Sequence, residues 1–165
     1  MRRGMIAGSF DPITHGHTWM IEQAAQLVDK LYVVVGNNPA KKYMFNANDR
    51  MDMVNNVCDR VCGVGYTALY LPHDQLLIDM AKEHQCDILI RGIRNNEDYN
   101  YEAQLRLINR RISPEIETIF LMPPRELSDV SSSAVKGLVG CGNWRQIVSE
   151  YVDPYVMTYL ESIPK

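Results

Sequence analysis

The chain of 165 residues reads as an α/β protein: a doubly wound, five-stranded parallel sheet with helices on both faces and a helical C-terminus. Three observations predict this. Short apolar segments recur along the chain, stretches with helical spacing separate them, and loops bearing glycine or proline follow the points where strands would end. Regular alternation of strand and helix favours parallel pairing, because a crossover helix is what brings the chain back to the same sheet.

Taken in order, the expected strands are Gly4–Ala7, Leu31–Val35, Tyr66–Leu71, Asp87–Ile90 and Thr118–Met122. Leu31–Val35 is short, rich in β-branched residues and closed by Gly36, as a buried strand should be. Between the strands, Thr18–Val28, Ala47–Arg60, Asp74–His84 and Glu97–Arg111 carry helical spacing. In the last of these, Tyr101, Leu105, Ile108 and Ile112 fall on one face, which predicts that this face packs on the core. Ser133–Val139 and Asp153–Glu161 are the helices expected at the C-terminal end. Internal repeats, low-complexity tracts and linkers are absent from the sequence, so residues 1–165 read as a single domain.

Composition narrows the function classes. Hydrophobic residues make up 46% and charged residues 22%, which excludes a disordered or fibrous chain. No apolar run approaches the roughly 20 residues of a membrane span, and the apolar stretch near Met1 is too short for a signal peptide. Cys58, Cys62, Cys86 and Cys141 form no Cys-x-x-Cys pair, so reduced thiols in a cytoplasmic protein are expected. A net charge of −3 argues against a nucleic-acid surface but allows small anionic substrates, provided cations are concentrated locally.

In a doubly wound sheet, ligands bind beyond the carboxyl ends of the strands. The first such loop, Gly8-Ser9-Phe10-Asp11-Pro12-Ile13-Thr14-His15-Gly16-His17, leaves a buried strand and opens a helix. Gly8 permits close backbone approach, Pro12 stiffens the turn, and Thr14 can cap the helix whose first N–H groups face a bound anion. His17, in that first turn, can donate a hydrogen bond to a phosphate. Lys41 and Lys42 lie in the loop after the second strand, and Arg91-Gly92-Ile93-Arg94 leaves the end of the fourth. The planar fork of arginine suits bidentate phosphate binding. Glu102 and Asn109 share a helix face apart from the apolar one, though Arg106 is placed to form an ordinary surface pair with Glu102. Ser131-Ser132-Ser133 brings hydroxyls to a helix start, a cradle for polyphosphate or a simple cap. Gly63-Val64-Gly65-Tyr66-Thr67-Ala68 matches a dinucleotide fingerprint in letters only: it precedes a strand rather than following one, and reads as a loop.

Together these loops resemble the nucleotidyltransferases that share a Thr/His-x-Gly-His motif and a Rossmann-like sheet, and among them the bacterial phosphopantetheine adenylyltransferases. The segments that carry the resemblance are the loop from Gly8 to His17, Pro39-Ala40-Lys41-Lys42-Tyr43-Met44-Phe45, Ile90–Arg94, Tyr101–Arg110 and Val130–Lys136. The resemblance implies transfer of the adenylyl group of ATP to 4′-phosphopantetheine, with His17, Lys41 and Arg91 as the catalytic set. It implies that Ser9, Lys41, Leu77, Arg91 and Asn109 contact the acceptor. It places Ser9, Phe10, His17, Gly92, Ile93, Arg94, Glu102, Leu127, Ser128, Asp129, Val130, Ser131, Ser132 and Ser133 at ATP. It further implies a magnesium ion with ATP, a homohexamer built as a dimer of trimers, and coenzyme A as a feedback ligand. Three departures stand out: Ser9 replaces the usual threonine, Leu127-Ser128-Asp129-Val130 replaces a segment that usually carries aromatic residues, and Val61–Tyr70 is dissimilar. Asp129 would repel phosphates unless it points outward. Other readings on the same fold are adenylyl transfer to nicotinate mononucleotide, cytidylyl transfer to a phosphorylated alcohol, and a nucleotide sensor without catalysis.

Overall fold

Five strands pair side by side, all parallel, in a computed structural model that describes residues 1–62 and 65–163. They are β1 (Arg3–Gly8), β2 (Lys30–Gly36), β3 (Gly65–Leu71), β4 (Ile88–Gly92) and β5 (Glu117–Leu121), in the order β3-β2-β1-β4-β5. Register puts Ile6 of β1 opposite Val33 of β2 on one side and Ile90 of β4 on the other. The connecting helices are α1 (His15–Gln26), α2 (Ala47–Val61), α3 (Leu77–Glu83) and α4 (Asn96–Ile112), followed by α5 (Arg125–Ser128), α6 (Ser132–Leu138), α7 (Trp144–Val148) and α8 (Pro154–Glu161).

Two hydrophobic clusters, one on each face of the sheet, hold the layers together. On the first face Ile6, Leu31, Val33, Val35 and Ile90 meet Ile21 and Ala24 of α1, Met53 and Val57 of α2, and Val156 and Leu160 of α8. On the second face Met5, Val34 and Leu89 meet Ile78, Met80 and Ala81 of α3. Alternation of side chains along each strand produces this division. Val33, Val34 and Val35 are all fully buried, as expected of a central strand covered on both sides. Burying each such side chain contributes about 1.5–3 kcal/mol.

Helix starts follow local chemistry. Asn46, Asn95, Ser131 and Asp153 each accept a backbone N–H of the first turn with the side chain, opening α2, α4, α6 and α8. α1 begins at His15 rather than Thr18, because Thr14 takes the cap position. α3 begins only at Leu77, so the stretch from Asp74 to Leu76 is not helical. The one-turn helices α5 and α7 are additions to the expected set. Gly63 and Val64 of the glycine-rich stretch lie outside the described residues, while Gly65 is the first residue of β3 rather than loop.

The expected core face of α4 requires correction. Tyr101, Ile108 and Ile112 are exposed, Leu105 is half-buried, and the only buried residue of this helix is Glu102. Hydrophobic periodicity marks a face that favours leaving water, but neither core cluster reaches α4.

Candidate active site

The chain runs outward from β1 through β2 to β3, then returns to place β4 on the other side of β1, so the order reverses between β1 and β4. Loops diverge at such a point and leave a crevice at the carboxyl ends of the strands. A cleft of about 700 Å³ opens there, bordered by the loops after β1, β2, β4 and β5 and by the starts of α1 and α6. It brings together Ser9, Phe10, His17, Lys41, Arg91, Gly92, Arg94, Glu102, Leu127, Val130 and Ser131–Ser133.

The first loop turns sharply at Phe10, a non-glycine residue at φ 47° whose ring is buried. A Cβ at residue 8 would lie 2.9 Å from that ring, so glycine is what lets the ring fold back over the strand end. The edge of the Phe10 ring meets the half-buried imidazole of His17 with centroids 5.2 Å apart. Nδ1 of His17 accepts the Thr14 backbone N–H at 3.0 Å and lies 2.9 Å from Thr14 Oγ1. With Nδ1 an acceptor, the neutral ring carries its proton on Nε2. Burial, reinforced by the positive charge of Arg94, lowers the His17 pKa from 6.5 to about 4. His17 is thus a neutral hydrogen-bond donor at physiological pH.

Charge in the cleft is organised in pairs. Glu102, 8% exposed, takes two donors of Arg91, Nε at 2.8 Å and Nη2 at 2.6 Å, while Nη1 reaches the Ala7 carbonyl at 3.3 Å. The partner of Glu102 is therefore Arg91 of β4 rather than its helix neighbour Arg106, and this fork fixes the guanidinium at the end of the strand. Asp98 holds Nε of Arg94 at 3.0 Å, and Asp11 holds Lys136 at 2.9 Å. All three carboxylates bordering the cleft are matched, whereas Lys41 and Lys42 have no carboxylate partner among the described residues. Lys41 Nζ lies 3.5 Å from Ser9 Oγ. Both lysines are exposed and border the cleft.

In the wall of the same cleft, α6 starts at Ser132 with Ser131 as its cap. Ser131 Oγ accepts the Ala134 N–H at 3.1 Å, and Ser132 Oγ donates to the Pro12 carbonyl at 2.8 Å. Two of the three hydroxyls are therefore engaged in building the site. Gly16 packs against the backbone beside them: a Cβ there would lie 3.2 Å from the Val130 carbonyl.

Five of the residues assigned by resemblance do not border the cleft. Ile93 is buried and its N–H donates to the Leu121 carbonyl. The Ser128 hydroxyl turns back to the Arg125 carbonyl, and Asp129, the C-cap of α5, is exposed. Leu77, the first residue of α3, packs on the second core cluster. Asn109 sits two turns along α4 from Glu102 and is not part of the cleft lining.

Sequence reading also passed over side chains that build the site. Asp11 is almost fully buried and accepts the Met44 and Phe45 N–H groups. Arg50, equally buried, donates from Nη1 to the Ser9 and Gly36 carbonyls at 2.7 and 2.9 Å and stacks on Tyr43 with 4.0 Å to the ring centroid. Lys136 follows Ser132 by one helical turn, and that spacing was the available signal that it faces the same end of the sheet.

Comparison with known proteins agrees with this geometry. The cytidylyltransferase-like family model matches residues 5–138. Phosphopantetheine adenylyltransferase of Chromobacterium violaceum is 40% identical over 154 residues, covering 92% of this chain and 91% of the relative. The protein of the same name from Neisseria meningitidis serogroup C is 42% identical over 151 residues, covering 92% and 87%. Among solved structures, Plasmodium falciparum nicotinic acid mononucleotide adenylyltransferase complexed with NaAD superposes with a TM-score of 0.72 at 15% identity, covering 98% of this chain and 95% of that one, a likeness of fold. Identity at this level across nearly the full length places the chain in the phosphopantetheine adenylyltransferase family, within the cytidylyltransferase-like nucleotidyltransferases.

Proposed function

We propose that the protein transfers the adenylyl group of ATP to 4′-phosphopantetheine, forming dephospho-coenzyme A and pyrophosphate. Family membership carries the reading, and a cleft lined by two lysines without a carboxylate partner among the described residues and by a serine-rich helix start supports it. An oxygen of the acceptor phosphate attacks the α-phosphorus, a new P–O bond forms, and the bond to the bridging oxygen breaks as pyrophosphate leaves. A phosphate is already nucleophilic, so the protein has to hold two anions in line and stabilise the charge that develops. Lys41 and Arg91 receive the acceptor phosphate, and by the family resemblance the pantetheine arm extends beyond the cleft lining to the start of α3 at Leu77, whose N–H has no partner within the helix. Nε2–H of His17 donates to the α-phosphoryl oxygens, and the Ser131–Ser133 helix start faces the departing phosphates.

Magnesium enters this reading with ATP. Among the described residues no group of three His, Cys, Asp or Glu is placed to cage a metal, and the carboxylates bordering the cleft are paired with cations. That donor set suits an ion carried by the phosphate oxygens and water, where it neutralises the polyphosphate. Coenzyme A, which shares the pantetheine arm, occupies the same cleft as a feedback ligand. The exposed apolar face of α4 meets other copies in a homohexamer. Among the described residues no helix is long and apolar enough to cross a membrane. The four cysteines are free, a state that the reducing cytoplasm maintains.

The deciding experiment offers the purified protein ATP and magnesium with 4′-phosphopantetheine, nicotinate mononucleotide or glycerol 3-phosphate, and follows pyrophosphate release. Turnover with 4′-phosphopantetheine alone is expected. Turnover of nicotinate mononucleotide without 4′-phosphopantetheine would overturn the acceptor, and ATP binding with no pyrophosphate from any acceptor would leave a sensor.

A further inference from the structure

The buried carboxylate of Asp11 joins three segments through one side chain. It belongs to the loop after β1. Its Oδ1 accepts the Phe45 N–H at 2.9 Å, and Met44 N–H is shared between Oδ1 at 3.1 Å and Oδ2 at 2.9 Å. Those amides end the loop that carries Lys41 and Lys42. Oδ2 also accepts from Lys136 Nζ at 2.9 Å, across 125 residues of sequence, and Lys136 stands one turn into the helix that Ser131 caps. The Asp11 side chain is 2% exposed and that of Lys136 30%, so the carboxylate is sealed in the wall while the ammonium borders the opening.

Two properties separate this pair from an ordinary structural ion pair. It links the segment that bears the acceptor-side cations to the segment that bears the nucleotide-side hydroxyls, so its geometry sets the distance between the half-sites. It also puts a negative charge into the wall of a cleft that must admit a polyphosphate, and Lys136 is the group that cancels that charge. We propose that Asp11 is a positioning residue for adenylyl transfer, the clasp that holds the Lys41 loop and the Ser131–Ser133 helix start in one frame, with Lys136 neutralising it. This rests on the transfer reading above for its effect on turnover, but its charge logic holds for any polyphosphate in the cleft.

The test combines Asp11→Asn, Lys136→Met, the double variant and Lys136→Arg, with melting temperature as the check on folding. Asparagine keeps Oδ1 for the Phe45 and Met44 N–H groups but turns an NH2 donor toward Lys136, so Asp11→Asn removes the charge together with the Oδ2 acceptor, and its melting temperature separates that from unfolding. Inorganic pyrophosphate binding by calorimetry requires neither acceptor nor turnover. Asp11→Asn should bind pyrophosphate as tightly as the parent or more tightly, yet lose at least about tenfold in kcat with less change in KM. Lys136→Met, with the carboxylate uncompensated, should bind pyrophosphate at least about tenfold more weakly. The double variant should return to within about threefold of the parent in binding while remaining slow, and Lys136→Arg should keep both properties. Equal weakening by both single variants with additive loss in the double would reduce the pair to a structural role, and unchanged kcat in Asp11→Asn would remove the positioning role. If the parent ignores 4′-phosphopantetheine, that reading fails by itself: the pyrophosphate pattern still judges Asp11, and kcat is read with the acceptor that is turned over.

Discussion

His17 shows how a single hydrogen bond decides the chemistry of a side chain. The Thr14 N–H fixes Nδ1 as acceptor, burial and Arg94 hold the ring neutral, and the proton left on Nε2 is the one available to a phosphate. Histidine NMR should therefore find the Nε2–H tautomer at pH 6, with a titration midpoint near 4; a midpoint near 6.5 would disprove the assignment. The folded state binds fewer protons than the unfolded chain between about 4 and 6.5, so this group adds stability above 6.5 that is lost as pH falls toward 4. His17→Gln should flatten that part of the stability profile in urea titrations at pH 7 and 4.5. His17→Ala should lower kcat about 10²–10³-fold, the usual loss for one transition-state donor, while ATP affinity changes far less. A collapse of ATP affinity with kcat preserved would make His17 a ground-state ligand instead.

At the scale of elements, caps and strands were legible and partners were not. The strands emerged from apolar runs because β1, β2 and β4 are covered on both faces, which leaves a continuous signal. α8 declared itself through Asp153 followed by Pro154, a cap and a first-turn residue that cannot continue a strand. Asp153 also pairs with Arg60 of α2, so Asp153→Ala should cost about 1–2 kcal/mol in chemical denaturation and leave turnover intact. A cost near zero would mean that Tyr155 and Tyr159, both bonded to Asp52, anchor the helix alone. The site was legible where residues cluster in sequence, as in Arg91–Arg94 and the loop from Gly8 to His17. Asp11 with Lys136, and Arg50 with the Ser9 carbonyl, were invisible because contacts between distant segments leave no periodicity. α5 and α7 are too short to show one.

For the whole molecule, the helix that holds Glu102 also leaves a broad apolar face uncovered. Tyr99, Tyr101, Leu107, Ile108 and Ile112 of α4 are exposed, and Met122, just beyond β5, is 72% exposed. Such a patch marks contact with another protein surface, and in the homohexamer proposed above it is where copies meet. Ile108→Asp should yield a smaller species in light scattering after size exclusion, whereas an unchanged mass would place the interface elsewhere. The same helix grips Arg91 through Glu102. A subunit alone would then hold its strand-end arginine on a helix with little to lean on, and mass action would reach into the cleft. Specific activity should fall as the protein is diluted below the dissociation constant of the assembly, and recover, after a lag, when it is concentrated again. In a steady-state assay this reads as a rate that rises more steeply than the first power of enzyme concentration.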